Sequence, residues 1–143
     1  MNLSIPPGDR LTKQRKLILE TVKSMCFHPT AEDVFKIVKQ TLPTISFGTI
    51  YRNLDYLTKN NFIKRIDLCD EPAHYDGHME HHCHFVCLKS HNIYDLPVDL
   101  NKIKKLIEKD PLVHEISDVH LMFYGKCSCS KDEMKKRKGH LKL

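Results

Sequence analysis

Six of the ten histidines fall between His74 and His91, and this cluster limits the folds open to the chain more than any other feature. The stretch Asp76 to Asp95 reads D-GHMEHHCHFVCLKSHNIY-D. Such a density of imidazoles is hard to bury as packing, so the fold has to present it. If His82-Cys83-His84 opens a strand, side chains alternate between faces, and His82 and His84 point one way while Cys83 points the other. Two imidazoles one strand-step apart are a natural pair of metal ligands, and Asp76 and Asp95, one on each side, offer oxygen donors. A mixed N/O set suits Fe(II), Mn(II) or Zn(II), whereas a thiolate-rich set would favour zinc or copper(I). The plainer alternative is a solvated polar hairpin with unrelated histidines.

What precedes the cluster reads as three helices and a hairpin. Leu11 to Cys26 places Leu11, Ile18, Val22 and Met25 on one helical face. It stops near Pro29, which disfavours helical geometry in the residue before it. Thr30 is positioned as an N-cap, with Glu32 and Asp33 in the positive first turn of a second helix. That helix carries an apolar stripe of Ala31, Val34, Phe35, Val38 and Leu42 and closes at Pro43. Ser46 caps a third helix, Phe47 to about Asn60, with Ile50, Leu54 and Leu57 inward at i, i+4, i+7. Phe62 to Leu68 then reads as a strand, Asp70-Glu71-Pro72 as a turn and Ala73 to Asp76 as the return. Three helices followed by such a hairpin make the winged form of the helix-turn-helix. Ser46, Thr49, Tyr51 and Arg52, in the first half of the third helix, are types that donate to phosphates or reach base edges in the major groove. Lys64 and Arg65 would add charge on the wing.

Beyond Gly77 the pattern becomes strands around one helix. His82 to Cys87 and Asn92 to Leu96 form a predicted hairpin, Pro97 opens a helix over residues 98–109, and Val113 to Tyr124 is a long strand candidate. The predicted fold class is therefore α+β. A winged helix-turn-helix domain with its hinge spans residues 1–77, and a small α/β dimerisation domain with a basic C-terminal tail spans 78–143. So short a second half would struggle to hold a core alone, and pairing with a copy would complete it. The net charge of +5 is misleading. From Lys126 onward there are seven Lys/Arg and two acidic residues, so the first 125 residues balance at 16 basic and 16 acidic. Any case for nucleic acid must rest on placed residues. With no apolar run near 18 residues and no signal-peptide pattern, a cytoplasmic protein without membrane attachment is expected. The six cysteines are then expected as thiols or ligands rather than a disulfide framework.

The segments HPTAEDVF (28–35), TISFGTIYRNLDYL (44–57), HYDGHMEHHCHFVC (74–87) and YGKCSC (124–129), in this order, resemble the ferric uptake regulator (Fur) family of bacterial metal-dependent repressors. The resemblance implies a homodimer with an N-terminal winged helix and a C-terminal α+β dimerisation domain, acting on a palindromic double-stranded operator and not as an enzyme. It puts the regulatory metal on His28, Asp76, His82, His84 and Asp95, with His28 arriving from the DNA-binding half. Aspartate at 95 resembles the peroxide-sensing (PerR-like) branch, whereas the iron-sensing branch usually carries glutamate there. In that branch bound Fe(II) reacts with hydrogen peroxide and oxygen is added to a ligand histidine; the matching residues here are His28 and His82. Mn(II) would support repression without this reactivity, and Zn(II) could occupy the site in purified protein.

Two departures from the family pattern stand out. Arg52 follows Tyr51 where many peroxide regulators carry asparagine and iron regulators arginine. Family members also commonly hold a structural zinc with two CxxC pairs. Here the first pair is Cys87-Leu-Lys-Ser90, lacking its second thiol, and the second is contracted to Cys127-Ser-Cys129. Cys87, Cys127 and Cys129 are left as a degenerate site, and no tightly held structural zinc is expected. The rival functions are an iron- or zinc-responsive repressor of the same family and, in another class, a metallohydrolase. The hydrolase would need a general base beside an open metal position, and Glu80 is the only nearby carboxylate to supply one.

Overall fold

A computed structural model describes residues 11–80 and 82–128. The chain divides into two compact units, Met1–Met25 with Pro29–Met79, and Cys26–His28 with Glu80–Leu143. Cys129 and the basic tail beginning at Ser130 lie outside the described residues.

In the first unit each helix starts at a side-chain cap. Helix α1 (Lys13–Ser24) begins at Thr12, whose hydroxyl accepts the N–H of Arg15 at 3.2 Å. Helix α2 (Ala31–Thr41) begins with a reciprocal box: Thr30 Oγ1 accepts the Asp33 N–H at 3.2 Å, and Asp33 Oδ2 accepts the Thr30 N–H at 3.0 Å. Two amide donors that the first turn leaves orphaned are thereby satisfied. Helix α3 (Phe47–Lys59) begins at Ser46, which accepts the Thr49 N–H at 3.2 Å. Of the predicted inward faces, Ile18, Val34, Ile50, Leu54 and Leu57 are fully enclosed and Val22 and Val38 nearly so, whereas Leu11, Met25, Phe35 and Leu42 are only partly buried. Each such side chain contributes about 1.5–3 kcal/mol of transfer free energy.

Chain reversal after α3 uses Asn61 at φ 59°, a left-handed conformation that asparagine tolerates better than most residues. Strands β1 (Lys64–Ile66) and β2 (His74–Asp76) then pair antiparallel, Arg65 opposite Tyr75. Both are shorter than the sequence suggested. Tyr75 and Ile63 close the core beneath them.

The second unit is a three-stranded sheet in the order β4-β3-β5. Strand β3 (Cys83–Cys87) is central, β4 (Ile93–Leu96) lies antiparallel to it and β5 (Met122–Gly125) parallel. The hairpin turns through His91 at φ 59°, whose N–H returns to the Cys87 carbonyl at 2.8 Å. Helix α4 (Leu100–Ile107), capped by Asp99, makes the connection that a parallel strand requires. The long strand predicted from Val113 to Tyr124 is cut to its last residues. The reason is the ladder: β3 pairs His84 to Cys87 with Met122 to Gly125 of β5, and the Leu121 carbonyl, accepting the His84 N–H at 3.1 Å, is where that pairing begins. Asp110 and Asp118 instead accept the N–H groups of Leu112 and Val119 at 2.9 and 2.8 Å, turning that segment locally.

A second difference concerns His28. Cys26–His28 clusters with the second unit although the helices on either side belong to the first. The cause is a backbone bond, His28 N–H to the Ile93 carbonyl on β4 at 2.8 Å. His28 therefore does not come from the DNA-binding half.

Gly77, directly after β2, is set by a close approach within the first unit. A β-carbon there would lie 2.7 Å from Lys23 Cγ and 3.1 Å from Lys23 Cα. Gly77→Ala is expected to destabilise the fold by about 1–3 kcal/mol through overpacking, read as a lowered unfolding midpoint in urea. An unchanged midpoint would show that α1 yields freely at this point.

Candidate metal centre and nucleic-acid interface

Sheet register assembles the centre. His84 on β3 is the direct cross-strand partner of Asp95 on β4, so the two side chains share a face. His82, two residues earlier, joins them by strand alternation, its ring centroid 4.5 Å from that of His84. The β4-bonded segment delivers His28, whose ring lies 5.1 Å from His84 and 6.1 Å from His82. All three imidazoles aim Nε2 at one oxygen, Asp95 Oδ1, at 2.6 Å from His28, 2.7 Å from His82 and 3.7 Å from His84. Donor atoms of these four residues lie within 4.8 Å of one another. The His28 and Asp95 side chains are only 7% and 8% exposed.

The tautomer of His82 tests whether a cation fits. Its Nδ1 is 2.6 Å from the Glu80 carbonyl oxygen, which can only accept, so Nδ1 carries the hydrogen. In the neutral ring, Nε2 then presents a lone pair to Asp95 Oδ1 at 2.7 Å. Two acceptors that close repel unless a positive charge lies between them, and a divalent cation supplies one. The backbone bond to Nδ1 is the outer support usually seen behind a metal-ligating histidine. The donors are nitrogen and carboxylate oxygen, which suits Fe(II), Mn(II) or Zn(II). Cys83, on the opposite face of β3, is fully buried, and desolvation raises its thiol pKa above the usual range. It offers no thiolate.

Asp76 stands on β2 in the first unit, fully buried, its Oδ1 accepting the His78 N–H at 2.8 Å. The degenerate cysteine site is a different matter. Cys87 is buried, and its Sγ accepts the N–H groups of Ser90 and Cys127 at 3.4 Å each. The Ser90 side chain, followed by backbone N–H groups of Ser90, Cys127 and Lys89, draws the thiol pKa down to about 6 against the opposing effect of burial. Cys127 is disulfide-bonded rather than the thiol or ligand expected, so a metal there would first need that bond reduced.

On the first unit, the candidate DNA-facing residues form two short chains of hydrogen bonds. Ser46 Oγ lies 2.9 Å from Thr49 Oγ1, which accepts from Arg52 Nη2 at 3.2 Å. Tyr51, exposed on α3, accepts from Arg65 Nη1 on β1 at 3.3 Å, and Arg65 Nε donates to Asp67 at 2.9 Å. Asp67 first and Tyr51 next raise the guanidinium pKa. The wing-to-helix bond spans fourteen residues of sequence, and no local pattern announces it. Nor does one announce Arg15, which donates to Asn53 at 3.2 Å and lies 3.6 Å over the Tyr56 ring, tying α1 to α3.

Residues 7–124 match the model of the ferric uptake regulator family. The chain belongs to that family. It is 30% identical to the peroxide operon regulator of Bacillus subtilis over 128 residues, 88% of each chain. It is 28% identical to the peroxide-responsive repressor PerR of Staphylococcus aureus over 127 residues, 88% of this chain and 85% of that one. Among solved structures, a zinc-bound manganese uptake regulator superposes with a TM-score of 0.70 at 27% identity, covering 84% of this chain and 92% of that one. The Campylobacter jejuni peroxide stress regulator superposes at 0.65 and 27%, covering 82% and 87%. The protein is thus a metal-responsive transcriptional regulator with a Fur-type α+β fold, not an enzyme, and the metallohydrolase reading falls. No helix among the described residues is long and apolar enough to cross a membrane.

Asp95→Asn keeps the shape of the centre but removes the charge that three imidazoles face. Calorimetric titration with Mn(II) is expected to show affinity reduced by more than about 100-fold, beyond the loss typical of an outer-shell change. Unaltered affinity would remove Asp95 from the ligand set.

Proposed function

We propose that this regulator represses transcription with Fe(II) or Mn(II) bound and senses hydrogen peroxide by oxidation of a ligand histidine. The observation that carries the reading is the convergence of His28, His82 and His84 on the Asp95 carboxylate. In this reading Asp76 is the fifth ligand, and the carboxylate at position 95 is the aspartate associated with peroxide sensing. Fe(II) held by these residues would supply the reducing electrons for cleavage of the hydrogen peroxide O–O bond, chemistry that Mn(II) would not support. The resemblance to peroxide regulators assigns His28 and His82 as the residues that would receive the oxygen. The Glu80 carbonyl holds the His82 ring in place while this happens. Linkage then makes DNA affinity depend on the state of the ligands.

The DNA-facing set is Ser46, Thr49, Tyr51 and Arg52, read by a homodimer at a palindromic operator whose half-sites lie about 34–36 Å apart or a multiple of that. The second unit supports the homodimer with exposed apolar side chains on α4 and β5, among them Leu106, Ile107, Phe123 and Tyr124. A transcriptional regulator of this kind is assigned to the cytoplasm. Arg52 favours the second reading, an iron- or zinc-responsive repressor without peroxide sensing.

Peptide mass spectrometry of the Fe(II)-loaded protein before and after a low dose of peroxide separates these readings, with the Mn(II) form as control. The expected result is one oxygen gained on peptides holding His28 or His82, with DNA binding lost in the iron form alone. Unmodified histidines with binding intact would establish the metal-responsive repressor instead. We also assign no structural zinc to Cys87, Cys127 and Cys129. Elemental analysis after mild chelation should find none, and one retained zinc per chain would refute that assignment.

A further inference from the structure

The bond between wing and recognition helix carries an inference that rests on the DNA-binding reading and goes further. Arg65, Asp67 and Tyr51 are all substantially exposed, and exposed ion pairs contribute little to stability. Stability alone therefore gives no account of why a guanidinium is held across to α3. Its effect on Tyr51 is specific. A phenol oxygen can both accept and donate one O–H. Arg65 Nη1 donates to it at 3.3 Å, and Asp67 Oδ1, accepting from Arg65 Nε at 2.9 Å, fixes the guanidinium from its other side. Guanidinium has no acceptor, so the tyrosine proton gains nothing by pointing at Arg65 and is turned outward.

We propose that Arg65 is a positioning residue that makes Tyr51 a one-way hydrogen-bond donor toward DNA. Tyr51 then selects acceptor atoms: phosphate oxygens, guanine N7 or O6, adenine N7, or thymine O4. It discriminates against the donor edges, cytosine N4 and adenine N6. Arg65 acts through Tyr51 rather than through a contact of its own.

A double-mutant cycle tests this, using Mn(II)-loaded protein and a duplex selected from randomised DNA, with affinity read by fluorescence anisotropy. Tyr51→Phe and Arg65→Met are each expected to weaken binding about tenfold, and the double variant to be no weaker than either single one. Arg65→Lys retains the charge but not the fork, and is expected to match Arg65→Met. Both Tyr51→Phe and Arg65→Met should relax preference at the same base position if the acceptor is a base edge, or weaken all sequences alike if it is a phosphate. Thermal midpoints of the variants separate this effect from misfolding.

Losses that multiply to about a hundredfold, with the salt slope of Arg65→Met reduced by about one, would overturn the proposal and make Arg65 an independent phosphate contact. No loss in Tyr51→Phe would also overturn it. If the wild-type protein selects no duplex at all, the DNA-binding reading itself fails. That outcome is distinct from the case in which wild type binds and the cycle is additive.

Discussion

The structure depends on a charge problem at Asp95. Three imidazole nitrogens approach one carboxylate oxygen in a nearly closed space, and the tautomer of His82 is fixed from behind by the Glu80 carbonyl. Proton transfer could satisfy one of these contacts, but a second imidazolium beside the first would add like-charge repulsion. A divalent cation satisfies all of them at once. Sheet register makes this possible, because His84 stands opposite Asp95 and a one-residue slip of β3 would turn His82 and His84 to the other face. Further support comes from the backbone bond between His28 and Ile93, which brings a third imidazole to the cluster without requiring an element of secondary structure to carry it.

The same economy shapes the first unit. Three side-chain caps start three helices at defined residues, and the buried stripes on those helices set which face of α3 remains outside. Ser46, Thr49, Tyr51 and Arg52 are presented because Ile50, Leu54 and Leu57 are enclosed. Asp76 ends the short hairpin of this unit, and Gly77 follows where only a glycine clears Lys23. Position 77 thus governs how the chain leaves a buried carboxylate.

Much of this could be read from the residues. Helical spacing and capping chemistry are local, so α1, α2 and α3 were legible almost to their ends, and strand alternation alone aligned His82 with His84 and turned Cys83 away. What escaped is what depends on a partner strand or a distant side chain. The stretch from Val113 to Tyr124 reads as a strand, yet β3 has ladder positions for only its last part. His28 reads as part of the helical half until its N–H is seen to bond β4. The environment of Cys87 is equally non-local, since one of its amide donors is Cys127, forty positions away.

Charge finally explains why the contacts on α3 must be placed rather than merely basic. Residues 1–77 carry 11 basic and 9 acidic side chains, so the winged helix has only a slight positive surplus to draw DNA in. Attraction to phosphate then depends on which Lys and Arg are placed against it, and discrimination falls to hydrogen bonds with fixed direction. Fixed direction is what the two side-chain networks provide: Thr49 orients Arg52, and Arg65, itself held by Asp67, orients Tyr51. A surface built this way gains little from one weakly basic protomer and more from two held in register. In the proposed function, dimerisation and ligand state are then the quantities on which operator affinity turns.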